Sequence, residues 1–158
     1  MYKDVLVPPL LGAWEFLPRP KSLSSLWERE WKELSVLIKE NNWKTSLDFK
    51  TIVKKQVKTI VITTPVQQIC FTNRNFENMT GYSQKEVVGR KPSFLQGSNT
   101  NKDTTAKIRM ALHNKQTIST SILNYKKNGE PYFCKVDLYP IFNLENELVN
   151  FVALEEEI

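Results

Sequence analysis

The 158 residues carry 41% hydrophobic and 25% charged side chains and a formal net charge of +5, ordinary globular values that exclude a disordered chain and a coiled-coil rod. That length holds one domain with its own core and an appendage, and not two full-sized domains. No apolar run approaches the roughly 20 residues that cross a bilayer, which excludes a transmembrane helix and any membrane role built on one.

The opening MYKDVLVPPLLGAWEFLPRP is interrupted by Pro8, Pro9, Glu15, Pro18 and Pro20 and is followed by no small-residue cleavage site. It does not form a signal-peptide core, so a cytoplasmic location is expected. The charge excess lies early: residues 1–58 hold 11 Lys and Arg against 7 Asp and Glu, and the rest of the chain 11 against 10. Lys50, Lys54, Lys55 and Lys58 cluster near the end of an expected helix, where cations suit the helix dipole, so a solvated face is favoured over a nucleic-acid surface.

From Ser22 to Asn42, Leu23, Trp27, Trp31, Leu34 and Ile38 recur at steps of three and four, the signature of an amphipathic helix. Asn41-Asn42 terminates it, and Asp48 caps a second short helix reaching about Lys55. Two tryptophans on one stripe are too much apolar surface to leave in water; the stripe must dock on the following domain or on a second copy of the chain.

The pattern then turns to β. Residues 59–64 (TIVITT) and 67–72 (QQICFT) read as a hairpin around Pro65-Val66. Short helical turns follow: one over Asn75–Met79 closed by Gly81, one opened by the capping box Ser83-x-x-Glu86 and closed by Gly89, and one over Pro92–Gln96. A longer helix is expected from Asn101 to Asn114, with Thr100-x-x-Asp103 at its start and Thr104, Ile108, Ala111 and Leu112 on one side.

Three strands complete the chain: 116–125, 132–141 and 148–156. The first two are joined around Asn128-Gly129. Alternation puts Ile118, Thr120, Ile122 and Asn124 on one face, and Tyr132, Cys134, Val136 and Leu138 on the facing one. Pairing Asn124 opposite Cys134 joins both faces to the core and puts Gly129 at positive φ in an odd-length turn. In the last strand Phe151 and Ala153 share one face and Leu148, Val152 and Leu154 the other, so its outer side needs a cover. The Trp27/Trp31 helix is the stripe available for it. The expected fold is α+β: a five-stranded antiparallel sheet, helices on its inner face and an N-terminal amphipathic helix on its outer face, divided into an extension over 1–57 and a domain over 58–158.

That order, with Phe76-Glu77-Asn78-Met79-Thr80-Gly81-Tyr82-Ser83, Glu86-Val87-Val88-Gly89-Arg90 and Asn124-Tyr125-Lys126-Lys127-Asn128-Gly129-Glu130-Pro131-Tyr132, resembles a PAS domain and implies the PAS fold. Within that family GRKPSFLQG at 89–97 is similar to the LOV branch, flavin-binding blue-light sensors whose motif reads GRNCRFLQG. The resemblance puts the photochemical cysteine of that branch on Pro92, which has no nucleophile, so a cysteinyl-flavin adduct is not expected. It puts one phosphate-contacting arginine on Ser93 and the other on Arg109. The motif glutamine falls on Gln96, the first-strand threonine on Thr63 and one ring-contacting asparagine on Asn124. The second asparagine is replaced by Cys134 and the last-strand glutamine by Glu155.

Thr63, Gln96, Arg109, Asn124, Cys134 and Glu155 are therefore the candidate binding residues, with FMN or FAD as the cofactor the resemblance offers. The amides of Asn124 and Gln96 suit a flavin's pyrimidine edge, whereas an ionised Glu155 only accepts hydrogen bonds and repels a flavin carbonyl. Bland readings stand beside these: Arg109 paired with a surface acid, Gln96 bracing its own turn, Asn124 bridged by water. Cys70 and Cys134 read as free buried thiols and His113 as a surface residue; neither a zinc site nor a catalytic triad can be placed, and no enzyme is expected. With no output domain fitting the remaining 57 or so residues, the reading is a stand-alone PAS sensory module. It would signal through ligand-dependent or dimer-dependent contact, with a homodimer or a protein partner and a small-molecule ligand; the alternatives are a flavin-binding redox sensor and a purely structural dimerisation module.

Overall fold

The computed structural model describes residues 23–158, with side chains from residue 26 onward. The Pro-rich opening, the Ser22 start of the first helix and the expected Leu23 contact lie outside what is described. The first helix, α1 (Leu23–Glu40), carries its stripe on the side where Leu34 is completely buried. It stops where Asn42 turns to φ 48°, and the Asn41 side chain donates to the Leu37 carbonyl at 2.9 Å. After it, α2 (Phe49–Lys55) is opened by Asp48, whose carboxylate accepts from the Thr51 N–H at 3.0 Å and its hydroxyl at 2.6 Å. These contacts satisfy donors that a helix start otherwise leaves bare.

The sheet is antiparallel and has six strands: β1 (Trp43–Lys44), β2 (Thr59–Thr63), β3 (Ile69–Thr72), β4 (Ile118–Tyr125), β5 (Pro131–Asn143) and β6 (Leu148–Glu157). In space β6 lies between β2 and β5, β3 flanks β2, and β1 and β4 run end to end along the far edge of β5. The expected five strands are all present; the addition is β1, two residues long and too short to show a period in sequence. It is fixed by tertiary bonds: Trp43 pairs with Asn143, and its indole N–H donates to the Asn150 side chain at 2.9 Å. The Asn150 amide in turn donates to the Thr63 carbonyl at 3.0 Å.

Between β3 and β4 come α3 (Arg74–Thr80), α4 (Gln84–Val87), a 3-10 turn (Pro92–Leu95) and α5 (Lys102–His113). Gly81 and Gly89 end the first two at φ 80° and 85°, and the Ser83/Glu86 capping box forms. The start of α5 differs from the expected capping by Thr100. Asn101 is the cap, accepting from the N–H groups of Asp103 and Thr104, while the Thr100 hydroxyl donates to the Leu123 carbonyl at 2.7 Å and accepts from Gly97. Thr100 thus ties the loop before α5 to β4. Gly97 is needed there because a Cβ would collide with the Tyr125 ring.

Three register details also differ. Asn124 faces Tyr132, and Ile122 faces Cys134, so the β4–β5 loop is one pair tighter than expected. A shift of two residues leaves both side-chain faces unchanged, which is why alternation could not distinguish the registers; Gly129 does adopt φ 86°. In the β2–β3 hairpin, β3 begins at Ile69 and not Gln67: Gln67 takes φ 65°, and a bulge leaves Cys70 unpaired between Thr63↔Ile69 and Ile62↔Phe71. Finally, Ile141 faces Asn150 and Phe142 faces Leu148, so Val149 is the extra residue that puts Leu148 on the inner face and itself on the outer one.

One sheet therefore separates two apolar clusters. The inner one gathers Phe76, Met79, Val87 and Leu95 from the helices against Val61, Ile122, Val136 and Phe151. The outer one gathers Leu34, Phe49 and Val53, with Trp27 and Trp31 against it, over Ile60, Ile62, Phe71, Val152 and Leu154. All five residues of β2 are buried, the pattern of a strand covered on both faces. The tryptophan stripe is thus spent on the outer face of the sheet. Truncating Leu34 to Ala is expected to lower the unfolding free energy by about 2–4 kcal/mol, measured by urea denaturation; a loss below about 0.5 kcal/mol would show that α1 is not part of the cooperative fold.

Candidate functional site

The inner helices arch over the sheet and leave a cavity of about 310 Å³ between α5, the 3-10 turn and β2, β4, β5 and β6. Its apolar walls include Val61, Ile108, Ile122, Val136, Leu138 and Phe151. Thr63, Gln96, Arg109, Asn124 and Glu155 all border it, so five separate elements bring those sequence-predicted residues to one hollow. Cys134 does not: it is completely buried in the inner cluster beside Glu155. Pro92 and Ser93 lie on the wall as well.

Each residue is placed by its own local structure. Thr63 ends β2, where the bulge turns the strand and its carbonyl is held by Asn150. Gln96 caps the 3-10 turn, its N–H donating to the Ser93 carbonyl. Arg109 lies one turn from the end of α5, exposed at the rim, and pairs with no acid among the described residues. The other motif arginine, Arg90, is spent elsewhere: its guanidinium stacks 3.8 Å from the centre of the Phe94 ring, which meets Tyr82 edge-on at 5.1 Å.

The polar centre of the cavity is buried. Asn124 is 6% exposed and Glu155 7%. Burial pushes the Glu155 carboxyl up to about 7, only partly opposed by the Cys134 thiol, and its Oε2 atom has no hydrogen-bond partner among the described residues. Burial raises the Tyr132 phenol, helped by the neighbouring Cys134 and Glu155, and burial with Glu155 raises the Cys134 thiol. The Tyr132 hydroxyl is also buried without a partner. A buried oxygen left unmet costs about 1–3 kcal/mol, so the hollow carries unsatisfied acceptor capacity at Glu155.

Lys91 and Gln67 also border the cavity and were not among the residues expected. The signal for Lys91 was its place inside GRKPSFLQG, next to the residues that were tested one by one. Gln67 reaches the wall from the positive-φ position of the β2–β3 turn, which strand alternation does not mark.

Residues 57–158 match the family model described as PAS domain. A blue-light photoreceptor of Listeria innocua serovar 6a is 37% identical over 102 residues, covering 63% of this chain and 40% of that protein. Phototropin-1A of Oryza sativa subsp. japonica is 41% identical over 96 residues, covering 61% of this chain and 10% of that protein. The solved LOV domain of the blue-light activated histidine kinase of Erythrobacter litoralis EL346 superposes with a TM-score of 0.62 at 28% identity, covering 65% of this chain and 96% of that one. The chain thus spans at most 40% of the length of these two curated relatives. No described helix is long and apolar enough to cross a membrane.

Glu155 gives the site a pH signature. A carboxyl that holds its proton more tightly folded than unfolded adds stability in full below the unfolded value of 4.5, and the gain disappears as pH rises through about 7. Replacing it by Gln removes this slope. The stability of Glu155→Gln relative to the unsubstituted protein is expected to rise by about 2–3 kcal/mol from about pH 5 to pH 8, followed by urea midpoints; parallel profiles would mean that the carboxyl titrates normally.

Proposed function

The chain belongs to the PAS domain family, and on that premise we propose that it is a sensory module whose inner cavity binds a small molecule and whose output is a change in protein contact, with no cysteinyl-flavin adduct. The observation that carries this reading is the 310 Å³ hollow between sheet and helices, bordered by three buried polar side chains, Thr63, Asn124 and Glu155, the last of which holds an oxygen that nothing in the described chain satisfies. Cavities of this size with a few convergent polar groups are where small molecules bind.

The route out of the cavity is the sheet itself. β2 and β6 expose one face to the hollow and the other to the cluster under α1, so rearrangement at Thr63, Phe151 or Glu155 presses on Ile62, Val152 or Leu154. The surface available for a second copy or a signalling partner is the outer side of the β4–β5 edge, where Phe133 is 56% exposed opposite Leu123 and stands outside the cluster that α1 covers.

A flavin is the second reading, favoured by Thr63, Gln96, Arg109 and Asn124 on the cavity wall. FMN or FAD would place its ring against the apolar walls and its phosphate toward Arg109. The donor set fits it in part only: Glu155, whose Oε2 has no partner among the described residues, can donate to a ring carbonyl when protonated but repels it as a carboxylate. Bond formation from sulfur is absent from both readings, because Pro92 stands on the wall and the buried Cys134 thiol is held protonated.

Native mass spectrometry of the protein as purified, and again after FMN is added, checks this. A bound small molecule is expected whose removal changes amide exchange in α1, and blue light should leave the visible band of any bound flavin intact. A protein that carries and accepts no ligand, or a flavin band that bleaches and recovers, would overturn the proposal.

A further inference from the structure

On the sensory reading above, the distribution of charge around the cavity narrows what it takes. At the buried part Glu155 offers an acceptor oxygen without a partner, and no cation pairs with it among the described residues. The titratable groups facing it are Cys134 and Tyr132 of β5, and burial keeps both protonated and neutral. At the rim the sign reverses: Lys91 before the 3-10 turn and Arg109 of α5 border the same hollow, are exposed, and make no ion pair among the described residues. Between the two ends the walls are apolar, with Val61, Ile122 and Phe151 supplied by three strands.

A ligand that matches these features has N–H donors at its buried end, a flat ring for the apolar walls, and negative charge at its outer end. A ring carbonyl aimed at Glu155 would set acceptor against acceptor once the carboxylate prevails, above about pH 7, whereas an N–H donor is matched by that form. We propose that the cavity takes a planar nitrogen heterocycle whose amidine-like edge donates N–H to Glu155 and whose anionic substituent lies toward Lys91 and Arg109, with Asn124 and Gln96 reading the rest of the ring edge. Glu155 is then the residue that selects a donor-edged ring over a carbonyl-edged one such as a flavin. Burial of the carboxylate against a matched donor is favourable where burial alone is costly.

GMP is a suitable probe, with IMP as its partner because it has the same phosphate and lacks the exocyclic amino group. Calorimetric titration of the full chain is expected to show saturable GMP binding, at least fivefold tighter than IMP. Because the carboxylate fraction of a group titrating at about 7 rises about tenfold between pH 6 and pH 8, the GMP preference over IMP should grow by up to that factor across this range. Glu155→Gln, checked for folding by its thermal transition, should lose the preference and its pH dependence; Arg109→Ala should weaken GMP more than guanosine. Absence of GMP binding, equal affinity for GMP and IMP, or an unchanged preference in Glu155→Gln would each overturn the ligand class. FMN binding in those same cases leaves the sensory reading standing, whereas a cavity that takes neither nucleotide nor any co-purifying molecule ends both.

Discussion

The rest of this structure depends on two central strands, β2 and β6, that must be dry on both sides. β2 is buried at every position and β6 at most of its length, so hydrophobic burial is satisfied only when one layer covers each face. On the outer face α1 and α2 do this by close packing around Leu34, Phe49 and Val53, all essentially inaccessible. On the inner face short helices, each stopped by a cap or a glycine, cannot pack as one flat layer. They arch, and the cavity is what the arch leaves. A long amphipathic helix and a series of short turns on opposite faces thus give one solid side and one hollow side.

The elements were largely legible in the sequence because their signals are local. Asp48, Gly81, the Ser83/Glu86 box and Gly129 act within a few residues, and each does what its chemistry requires. The outer helix was legible for a global reason, since Trp27 and Trp31 had to be buried somewhere. What escaped was set by partners far along the chain. β1 exists through Asn143 and Asn150, Thr100 was drawn from a capping role to the Leu123 carbonyl, and the bulge at Val149 moved Leu148 to the inner face. A two-residue register shift preserves every inward-facing side chain, so the Asn124–Tyr132 pairing had no signature in alternation.

The site shows the same division. Strand alternation alone put Asn124 inward, and position-by-position comparison with a known motif pointed at Thr63, Gln96, Arg109 and Glu155, all on one cavity. Cys134, which the same motif points at, is buried beside Glu155 and not on the cavity wall. Glu155 stands where that motif has an amide; it is buried, its carboxyl is raised to about 7 and one oxygen has no partner among the described residues, and the proposed ligand preference rests on it.

The position of β6 has a consequence for how such a chain reaches its native state. The strand that separates β2 from β5 is the one furthest along the sequence, and it supplies Phe151 and Ala153 to one core and Val152 and Leu154 to the other. During synthesis everything before it emerges as two unjoined halves with their apolar surfaces uncovered, and contacts such as Trp43 to Asn150 wait for residues 107 positions later. Closure is therefore a late, non-local event, paid for in loop entropy. A fold closed in this way rests on contacts between distant parts of the chain, which a helical bundle of equal mass does not need.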